Sequence, residues 1–189
     1  MRIISGTAKG TKLYTLDGLE TRPTLDRVKE SLFNIIFNEI TDSTVLDLFS
    51  GSGAIGLEFA SRGAKKVYLC DKSKDACNII KKNIEKTHLE EKVELINSDF
   101  VKAIRDLKNK KIDIVYLDPP YKTDFIKIAI EELLKTENLT EDTLLIVETD
   151  EEERIINQME KIKGIEIADK RKYGRAYILF LKKINGKEE

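Results

Sequence analysis

Apolar positions from Thr44 onward alternate between two periods, one typical of buried strands and one typical of amphipathic helices. Short runs rich in β-branched residues predict five strands, at 44–49, 66–70, 92–97, 112–117 and 144–148. Apolar residues three and four apart predict a helix after each strand, at 54–62, 73–86, 100–107, 123–135 and 151–161. Alternation of this spacing requires right-handed crossovers, and it therefore predicts a parallel sheet covered by helices on both faces.

The C-terminal end of the chain predicts a different pairing. Apolar runs at 165–170 and 176–182 are separated by Tyr173-Gly174, which is typical of a hairpin turn. This hairpin would add an antiparallel strand to the parallel sheet. The whole pattern predicts an α/β fold with a doubly wound, mostly parallel seven-stranded sheet that ends in a C-terminal antiparallel hairpin strand.

A short extension is predicted before the sheet. The pattern of the first residues predicts a small β-hairpin and then a helix, over 2–5 paired with 11–15 and over 25–38. Thr24 is a candidate cap for that helix. We therefore expect a hairpin and helix extension at 1–40 and a doubly wound domain at 41–189, folded as one compact unit.

The composition excludes several classes of protein. Two cysteines, Cys70 and Cys77, cannot make a disulfide framework, and with a single histidine they form no zinc motif. We expect both cysteines in the core and His88 on the surface near a helix C-cap. The lone histidine also disfavours a Ser-His-Asp mechanism. No apolar run can span a bilayer and the first residues lack a signal core, so we expect a cytoplasmic protein.

Charge is unevenly distributed, although the formal net charge is only −1. Residues 1–12 hold three basic residues and 170–183 hold six, in both cases without an acid. Residues 131–160 hold eleven acids against two bases. If the fold brings the basic ends together, one face suits a polyanion such as a nucleic acid. Scattered solvated charge explains the same pattern, so charge alone does not decide the partner.

A glycine-rich turn follows the first predicted strand of the sheet. Gly51-Ser52-Gly53 and Gly56 form a Gly-x-Gly-x-x-Gly pattern before a helix, where a ligand can approach the backbone and free N–H groups. Asp71 ends the next strand twenty residues after Gly51, where such folds hold a ribose hydroxyl pair. NAD enzymes share this spacing, so the turn predicts a nucleotide-type cofactor without deciding which one.

Two other acids narrow the choice of cofactor. Asp47 lies under the predicted cofactor, where its charge disfavours a pyrophosphate. The same charge favours the sulfonium and ammonium groups of S-adenosylmethionine, by about 4 kcal/mol at an effective dielectric of 20. Asp99 ends the third strand and is placed to accept a hydrogen bond from an adenine amine, with Phe100 beside the ring. Asp99 is equally suited to cap the next helix.

Asp118-Pro119-Pro120-Tyr121 at the end of the fourth strand is the most specific motif in the chain. Two prolines remove two amide donors and leave carbonyls available as acceptors at the edge where open α/β sheets bind ligands. A carboxylate and a carbonyl can hold both hydrogens of an exocyclic amine, and Tyr121 offers a flat face for an unstacked base. Read alone, the motif is also compatible with an ordinary turn.

These motifs together resemble class I S-adenosylmethionine-dependent methyltransferases that act on amino groups, with a Rossmann-like domain. The segments Met1-Arg2-Ile3-Ile4-Ser5-Gly6, Thr21-Arg22-Pro23-Thr24 and Asp26–Ile35 are similar to the RsmD family, over nearly the whole chain. The resemblance implies methylation of N2 of one guanine in 16S ribosomal RNA by direct in-line transfer, with S-adenosylhomocysteine as product and no metal. The small ribosomal subunit is the implied partner, and we expect a monomer without a membrane contact.

The resemblance also implies three sets of site residues. The predicted catalytic residues are Asp118, Pro119, Pro120 and Tyr121. The predicted cofactor-binding residues are Asp47, Phe49, Ser50, Gly51, Ser52, Gly53, Asp71, Lys72, Asp99 and Phe100. The predicted RNA-binding residues are Arg2, Lys9, Lys12, Arg22, Arg27, Lys170, Arg171, Lys172, Tyr173 and Arg175. Arg22 and Arg27 are equally suited to a structural role. The family commonly has glutamate where this chain has Asp71, a shorter carboxylate.

Other functions remain open at this point. An amino-group methyltransferase could act on DNA adenine or another RNA, whereas protein-glutamine methylases usually have asparagine in place of Asp118. An NAD(P) oxidoreductase would share the glycine turn, but the chain lacks an obvious proton donor. A non-catalytic ribosome-assembly factor would bind RNA without the cofactor, so cofactor binding separates it from an enzyme.

Overall fold

The structure, a computed structural model, describes residues 1–15, 23–120 and 122–184, with side chains of the first helix described from Arg27. The chain divides into two compact units, Met1–Asp99 and Phe100–Glu189. The described residues contain seven strands, which belong to one mixed sheet in the order β3-β2-β1-β4-β5-β7-β6, numbered along the chain, and this confirms the predicted fold class. The predicted boundary at residue 40 stays a prediction, and Arg22 and Tyr121 lie outside the described residues.

The first unit contains three parallel strands in the order β3-β2-β1. Its elements are α1 (Pro23–Ile35), α2 (Phe37–Ile40), β1 (Thr44–Asp47), α3 (Ala54–Ser61), β2 (Lys66–Asp71), α4 (Lys74–Thr87) and β3 (Val93–Asn97). Val45 lies opposite Val67, and Leu69 lies opposite Leu95. The middle strand β2 is buried at four consecutive positions, because helices cover both faces of a parallel sheet.

The second unit contains the parallel pair β4 and β5 followed by the antiparallel strands β7 and β6. Its elements are α5 (Phe100–Asp106), β4 (Ile114–Leu117), α6 (Phe125–Leu134), β5 (Leu144–Thr149), α7 (Glu152–Met159), β6 (Ile165–Tyr173) and β7 (Ala176–Lys183). Tyr173 pairs with Ala176, so the hairpin turn consists of Gly174 and Arg175. Gly174 has φ +64°, which a two-residue hairpin turn requires.

The N-terminal elements differ from the sequence prediction. The first helix begins at Pro23, so the assignment of Thr24 as its cap was wrong; proline is favoured in the first helical position because its missing N–H costs nothing there. The helix ends at Ile35, and the short α2 follows. The two segments predicted as a hairpin do pair antiparallel, through a bridge between Arg2 and Lys12 and bonds from Ile3 N to the Thr11 carbonyl and from Leu13 N to the Met1 carbonyl, each at 3.0 Å, but residues 1–15 form no regular strand.

A buried ionic cluster holds the N-terminal segment on α3. Glu58 is fully buried, and its carboxylate accepts hydrogen bonds from the amides of Ile4 (2.8 Å) and Ser5 (2.9 Å). The same carboxylate pairs with Lys29 Nζ at 3.0 Å and with Arg62 Nε at 2.7 Å. Buried charges are stable only when paired and hydrogen-bonded in this way. Side chains from two helices, α1 and α3, therefore fix the path of the first residues.

Gly6 explains why the segment can lie so close to α3. A Cβ atom at this position would lie 1.9 Å from the carbonyl oxygen of Ser61, and the residue has φ +85°. Thr7 N donates to that same oxygen at 2.9 Å, and Ser61 Oγ donates to the Ser5 carbonyl at 2.6 Å. Only glycine satisfies both the backbone conformation and the close contact.

Candidate cofactor site and acceptor segment

The glycine turn connects β1 to α3 and is closed by its own backbone. Gly53 N donates to the Ser50 carbonyl at 2.7 Å, and Ser50 Oγ donates to the Asp47 carbonyl at 2.9 Å. Gly51 and Gly53 have φ +56° and +79°, which glycine adopts without strain. A Cβ atom at Gly51 would meet nothing within 4 Å, so open space lies in front of the turn. A cofactor needs such a space in order to approach the backbone.

Asp71 ties the turn to the end of β2. Its Oδ2 accepts a hydrogen bond from Gly51 N at 2.9 Å, and its Oδ1 accepts one from Ser73 N at 2.8 Å. Each carboxylate oxygen has a second lone pair, so these bonds leave acceptor capacity for a ribose hydroxyl. The ribose contact stays a prediction. The bond to Gly51 also gives Asp71 a structural role, in addition to that predicted contact.

Asp47 is the last residue of β1 and is 1% exposed. Its Oδ1 has no hydrogen-bond partner in the part of the chain that the structure describes. Loss of hydration raises the pKa of Asp47 to about 7, against smaller lowering effects from hydrogen bonds of Phe49, Ser50 and Gly56. A buried carboxylate oxygen without a partner costs free energy. The Asp47 carboxylate therefore fits a cationic ligand and does not fit a pyrophosphate, which is negatively charged.

Asn83, on α4, holds two segments of backbone together. Its Oδ1 accepts from Tyr14 N at 2.7 Å, and its Nδ2 donates to the carbonyls of Tyr14 and Ser52, each at 2.9 Å. The side chain is fully buried. Sequence reasoning missed this residue; the only signal was a polar amide on the apolar face of a predicted helix. Asn83 thus ties the glycine turn to the N-terminal segment.

The other predicted cofactor residues differ in their exposure. Asp99 is exposed and directly precedes α5, so both of its predicted roles stay open. Phe100 is 6% exposed, and its ring lies 5.2 Å from the ring of Phe125, centroid to centroid. Phe100 therefore packs α5 against α6, and its contact with an adenine stays a prediction. Phe49 is half-buried and Lys72 is exposed.

The acceptor segment, residues 118–120, begins directly after β4 in the second unit. Asp118 and Pro120 are exposed, whereas Pro119 is buried. The carbonyl of Pro120 accepts a hydrogen bond from Thr123 Oγ1 at 2.8 Å, so this carbonyl already has a partner. The carbonyl of Pro119 is the one that the sequence assigns to the amine. The exposed carboxylate of Asp118 lies at the end of a parallel strand, where open α/β sheets bind ligands.

Residues after the acceptor segment are anchored on α7. Arg154 Nη2 donates to the Thr123 carbonyl at 2.9 Å and to Asp124 Oδ1 at 2.7 Å. Its Nη1 donates to Glu151 Oε2 at 2.6 Å, and that oxygen also accepts from Lys122 N at 3.1 Å. The sequence predicted Glu151 only as the first residue of a helix. The network fixes the chain just past the motif.

A half-buried carboxylate lies beside the acceptor segment. Glu148 accepts a hydrogen bond from the hydroxyl of Tyr116, which is 2% exposed. Burial raises the pKa of Glu148, and the tyrosine bond lowers it in part. Glu148 also lines a narrow cleft with Pro119 and Pro120. The sequence did not indicate this pair, because both residues appeared as ordinary strand positions.

The predicted RNA-binding residues fall into two groups. Arg2, Lys9, Lys12 and Arg27 are exposed in the first unit. On the C-terminal hairpin, Lys170 pairs with Glu152, and Arg171 Nη2 pairs with Asp169 at 2.8 Å. The other hairpin residues are Lys172, whose Nζ lies 5.1 Å from the ring centroid of Tyr177, half-buried Tyr173 and exposed Arg175. Local acids thus neutralise part of the hairpin charge.

The remaining single residues agree with the sequence prediction. Cys70 and Cys77 are free and buried, and loss of hydration raises the pKa of the Cys70 thiol to about 12. His88 is exposed and forms the C-cap of α4 with φ +55°. The described ranges contain no group of three or more potential metal ligands. Among the described helices, none is long and apolar enough to cross a bilayer.

Comparison with known proteins gives consistent matches over most of the chain. The family model described as conserved hypothetical protein 95, which corresponds to the RsmD family, matches residues 1–182. The chain is 38% identical to ribosomal RNA small subunit methyltransferase D of Haemophilus influenzae, covering 82% of each protein. It is 34% identical to the Escherichia coli protein of that name, covering 80% of this chain and 76% of that one.

A solved structure supports the fold. An Escherichia coli protein named "Putative methyltransferase yhhF" aligns with a TM-score of 0.82 at 27% identity, covering 97% of each chain. The shared architecture is that of class I methyltransferases.

Proposed function

Since the chain belongs to the RsmD family, we propose that it methylates an exocyclic amine of small-subunit ribosomal RNA, the N2 of one guanine, with S-adenosylmethionine as methyl donor. The observation that carries the cofactor assignment is the buried Asp47 carboxylate with an oxygen that lacks a partner. A positively charged methyl donor would be attracted to this carboxylate, whereas the phosphates of NAD would be repelled by it.

The first unit binds and orients the donor. In this unit the turn from Ser50 to Gly53 and Asp47 hold the methionine portion, Asp71 holds the ribose, and Asp99 holds the adenine amine. Phe100, the first residue of the second unit, is the predicted neighbour of the adenine ring. S-adenosylmethionine supplies an activated methyl group on a sulfonium. Because Asp71 and Asn83 already fix the backbone of the turn, binding costs little ordering of the protein.

The second unit holds the acceptor. Asp118 and the Pro119 carbonyl accept the two hydrogens of the amine, which turns the nitrogen lone pair toward the methyl group. Tyr121 supports the unstacked base. The amine loses its proton after it has gained the methyl group, so no histidine base is required. Orientation supplies most of the rate enhancement in such a reaction.

The natural substrate is the small ribosomal subunit, and the protein acts on it as a cytoplasmic monomer without a metal. The exposed cations of the N-terminal segment and of the C-terminal hairpin contact phosphates. Several of the hairpin cations are already paired with acids, so we expect weak and salt-sensitive affinity for free RNA.

Transfer of tritiated methyl groups from S-adenosylmethionine tests this function. The acceptors are small subunits that lack the modification, naked 16S RNA and duplex DNA. Label on N2 of one guanine in the subunit is the expected result. Label on DNA adenine alone would contradict the RNA assignment, and bound cofactor without label on any acceptor would indicate a non-catalytic assembly factor.

A further inference from the structure

An aromatic and cationic cleft lies on the first unit, beside α4. The Tyr14 surface consists of Tyr14, Lys82, Glu85 and Lys86, and it encloses about 350 Å³. Tyr14 is 49% exposed, which is unusual for so large a ring. Lys86 Nζ lies 4.2 Å from the centroid of this ring. None of these residues is among those predicted to bind cofactor or RNA.

The ring of Tyr14 is exposed, but its backbone is rigidly held. Both the N–H and the carbonyl of Tyr14 are bound by the buried side chain of Asn83, at 2.7 and 2.9 Å. The preceding residue, Leu13, is buried at 7% exposure and anchors the same segment. An aromatic side chain on a fixed backbone loses little entropy when a ligand stacks on it. Such a ring suits a binding role better than a packing role.

Charge around the ring favours a polyanion. Lys82 and Lys86 are four residues apart on α4, so both ammonium groups lie on one face of that helix. Lys12 is exposed two residues before Tyr14 in the same extended segment. Against these cations stands one acid, Glu85. Residues 1–15 contain no acid.

We propose that the Tyr14 surface binds one nucleotide of a single-stranded stretch of the RNA substrate, an inference that rests on the proposed function. The base contacts the Tyr14 ring, and Lys82 and Lys86 bind the neighbouring phosphates. A stacking ring beside lysines is how proteins bind single strands, whereas a paired base inside a duplex presents no free face. The RNA-binding surface thereby extends from the N-terminal segment onto α4.

The test compares variants at the surface with a matched lysine elsewhere on the same helix. The variants are Tyr14→Ala, Tyr14→Phe and the double change Lys82→Gln with Lys86→Gln; the control is Lys74→Gln, an exposed lysine in the first turn of α4. Each is assayed for KM with unmodified small subunits, for kcat, for S-adenosylmethionine affinity by calorimetry and for thermal midpoint.

Tyr14→Ala and the double lysine variant should each raise KM for the subunit about tenfold, because a stacked base and two phosphate contacts are lost. Tyr14→Phe keeps the ring and should restore KM to within about twofold, and Lys74→Gln should match the wild type. Cofactor affinity and kcat should stay within about twofold in all four. An unchanged KM in Tyr14→Ala would overturn the inference, as would an equal loss of cofactor affinity.

A second measurement separates this inference from the proposed function. Binding of a fluorescein-labelled single-stranded RNA oligonucleotide is followed by anisotropy for the wild type and Tyr14→Ala. If the wild type methylates no RNA, the proposed function fails. Binding of the oligonucleotide then still tests whether the Tyr14 surface binds RNA. Weaker binding by Tyr14→Ala supports the surface, and equal binding contradicts it.

Discussion

The glycine turn of the first unit and the acceptor segment of the second unit are held in opposite ways. The turn is bound by side chains from two other elements, Asp71 at the end of β2 and the buried Asn83 on α4. The acceptor segment presents an exposed Asp118, and the residues that follow it are bound by Arg154 of α7. A small cofactor of fixed shape suits a preformed cradle. A base that is unstacked from a large RNA can reach a carboxylate only if that carboxylate is accessible.

The electrostatics of the two regions differ in the same way. Asp47 is buried, and its pKa is raised to about 7. Asp118 is exposed to solvent. We infer that the first carboxylate acts mainly on binding of the charged donor, and the second mainly on orientation of the acceptor.

The largest change is expected from Glu58→Gln, which removes the buried anion under the N-terminal segment. Lys29 and Arg62 would then remain buried against a neutral amide, so the free energy of unfolding should fall by about 3–5 kcal/mol. Urea unfolding of both proteins measures the difference. The control is Glu94→Gln, which breaks a half-exposed pair with Lys66 and should cost less than about 1 kcal/mol. Equal losses would show that the cluster does not anchor the first unit.

Asn83→Ala should weaken cofactor binding about tenfold, that is by about 1.4 kcal/mol, because Ser52 loses a bond that fixes the turn. Calorimetry with S-adenosylmethionine in the absence of RNA measures this change. Thr87→Ala is the matched control: Thr87 is buried one turn later on α4, but its hydroxyl bonds stay within the helix. A similar loss of affinity in both variants would mean that general loosening of α4 is the cause.

The pH dependence of cofactor binding should follow Asp47. The folded protein raises the pKa of this group above its ordinary value of 3.8, so stability contributed by Asp47 is lost as pH rises from about 4 through about 7. A cationic ligand favours the charged carboxylate. Affinity for S-adenosylmethionine should therefore rise between about pH 6 and pH 8, by up to about tenfold per pH unit.

The control for this pH dependence is Asp47→Asn, which carries no titrating group. Calorimetry at pH 6, 7 and 8 should give a shallower slope for the variant than for the wild type. Equal slopes would assign the pH dependence to the ligand or to another residue.

Local pattern predicted the elements that carry the site. Alternating periods located the strands and helices of the sheet, and the spacing from Gly51 to Asp71 placed both residues at one turn, where Gly51 N now bonds to Asp71. These features were predictable because period and turn chemistry depend on neighbours in the sequence. The Asp118-Pro119-Pro120-Tyr121 motif could be recognised in the sequence for the same reason.

Long-range partners could not be predicted from one sequence. Asn83 bonds to a residue 69 positions away, and Glu58 accepts from one 54 positions away. Nothing in a local pattern distinguishes a buried lysine such as Lys29 from a surface lysine, because its burial depends on where the N-terminal segment lies. The start of α1 was misassigned because Thr24 is a good cap by residue type, whereas Pro23 fits the first helical position better.

The most direct test of the central claim separates cofactor binding from methyl transfer in Asp118→Ala, with Asp150→Ala as an exposed control in the same unit. S-adenosylmethionine affinity is measured by calorimetry, and kcat with unmodified small subunits is measured on the same preparations. We predict that Asp118→Ala keeps its affinity within about twofold and loses about a hundredfold or more in kcat, because the amine is no longer oriented. Asp150→Ala should match the wild type in both. Equal losses of affinity and turnover in Asp118→Ala would contradict the account, because Asp118 would then support the fold and not the acceptor.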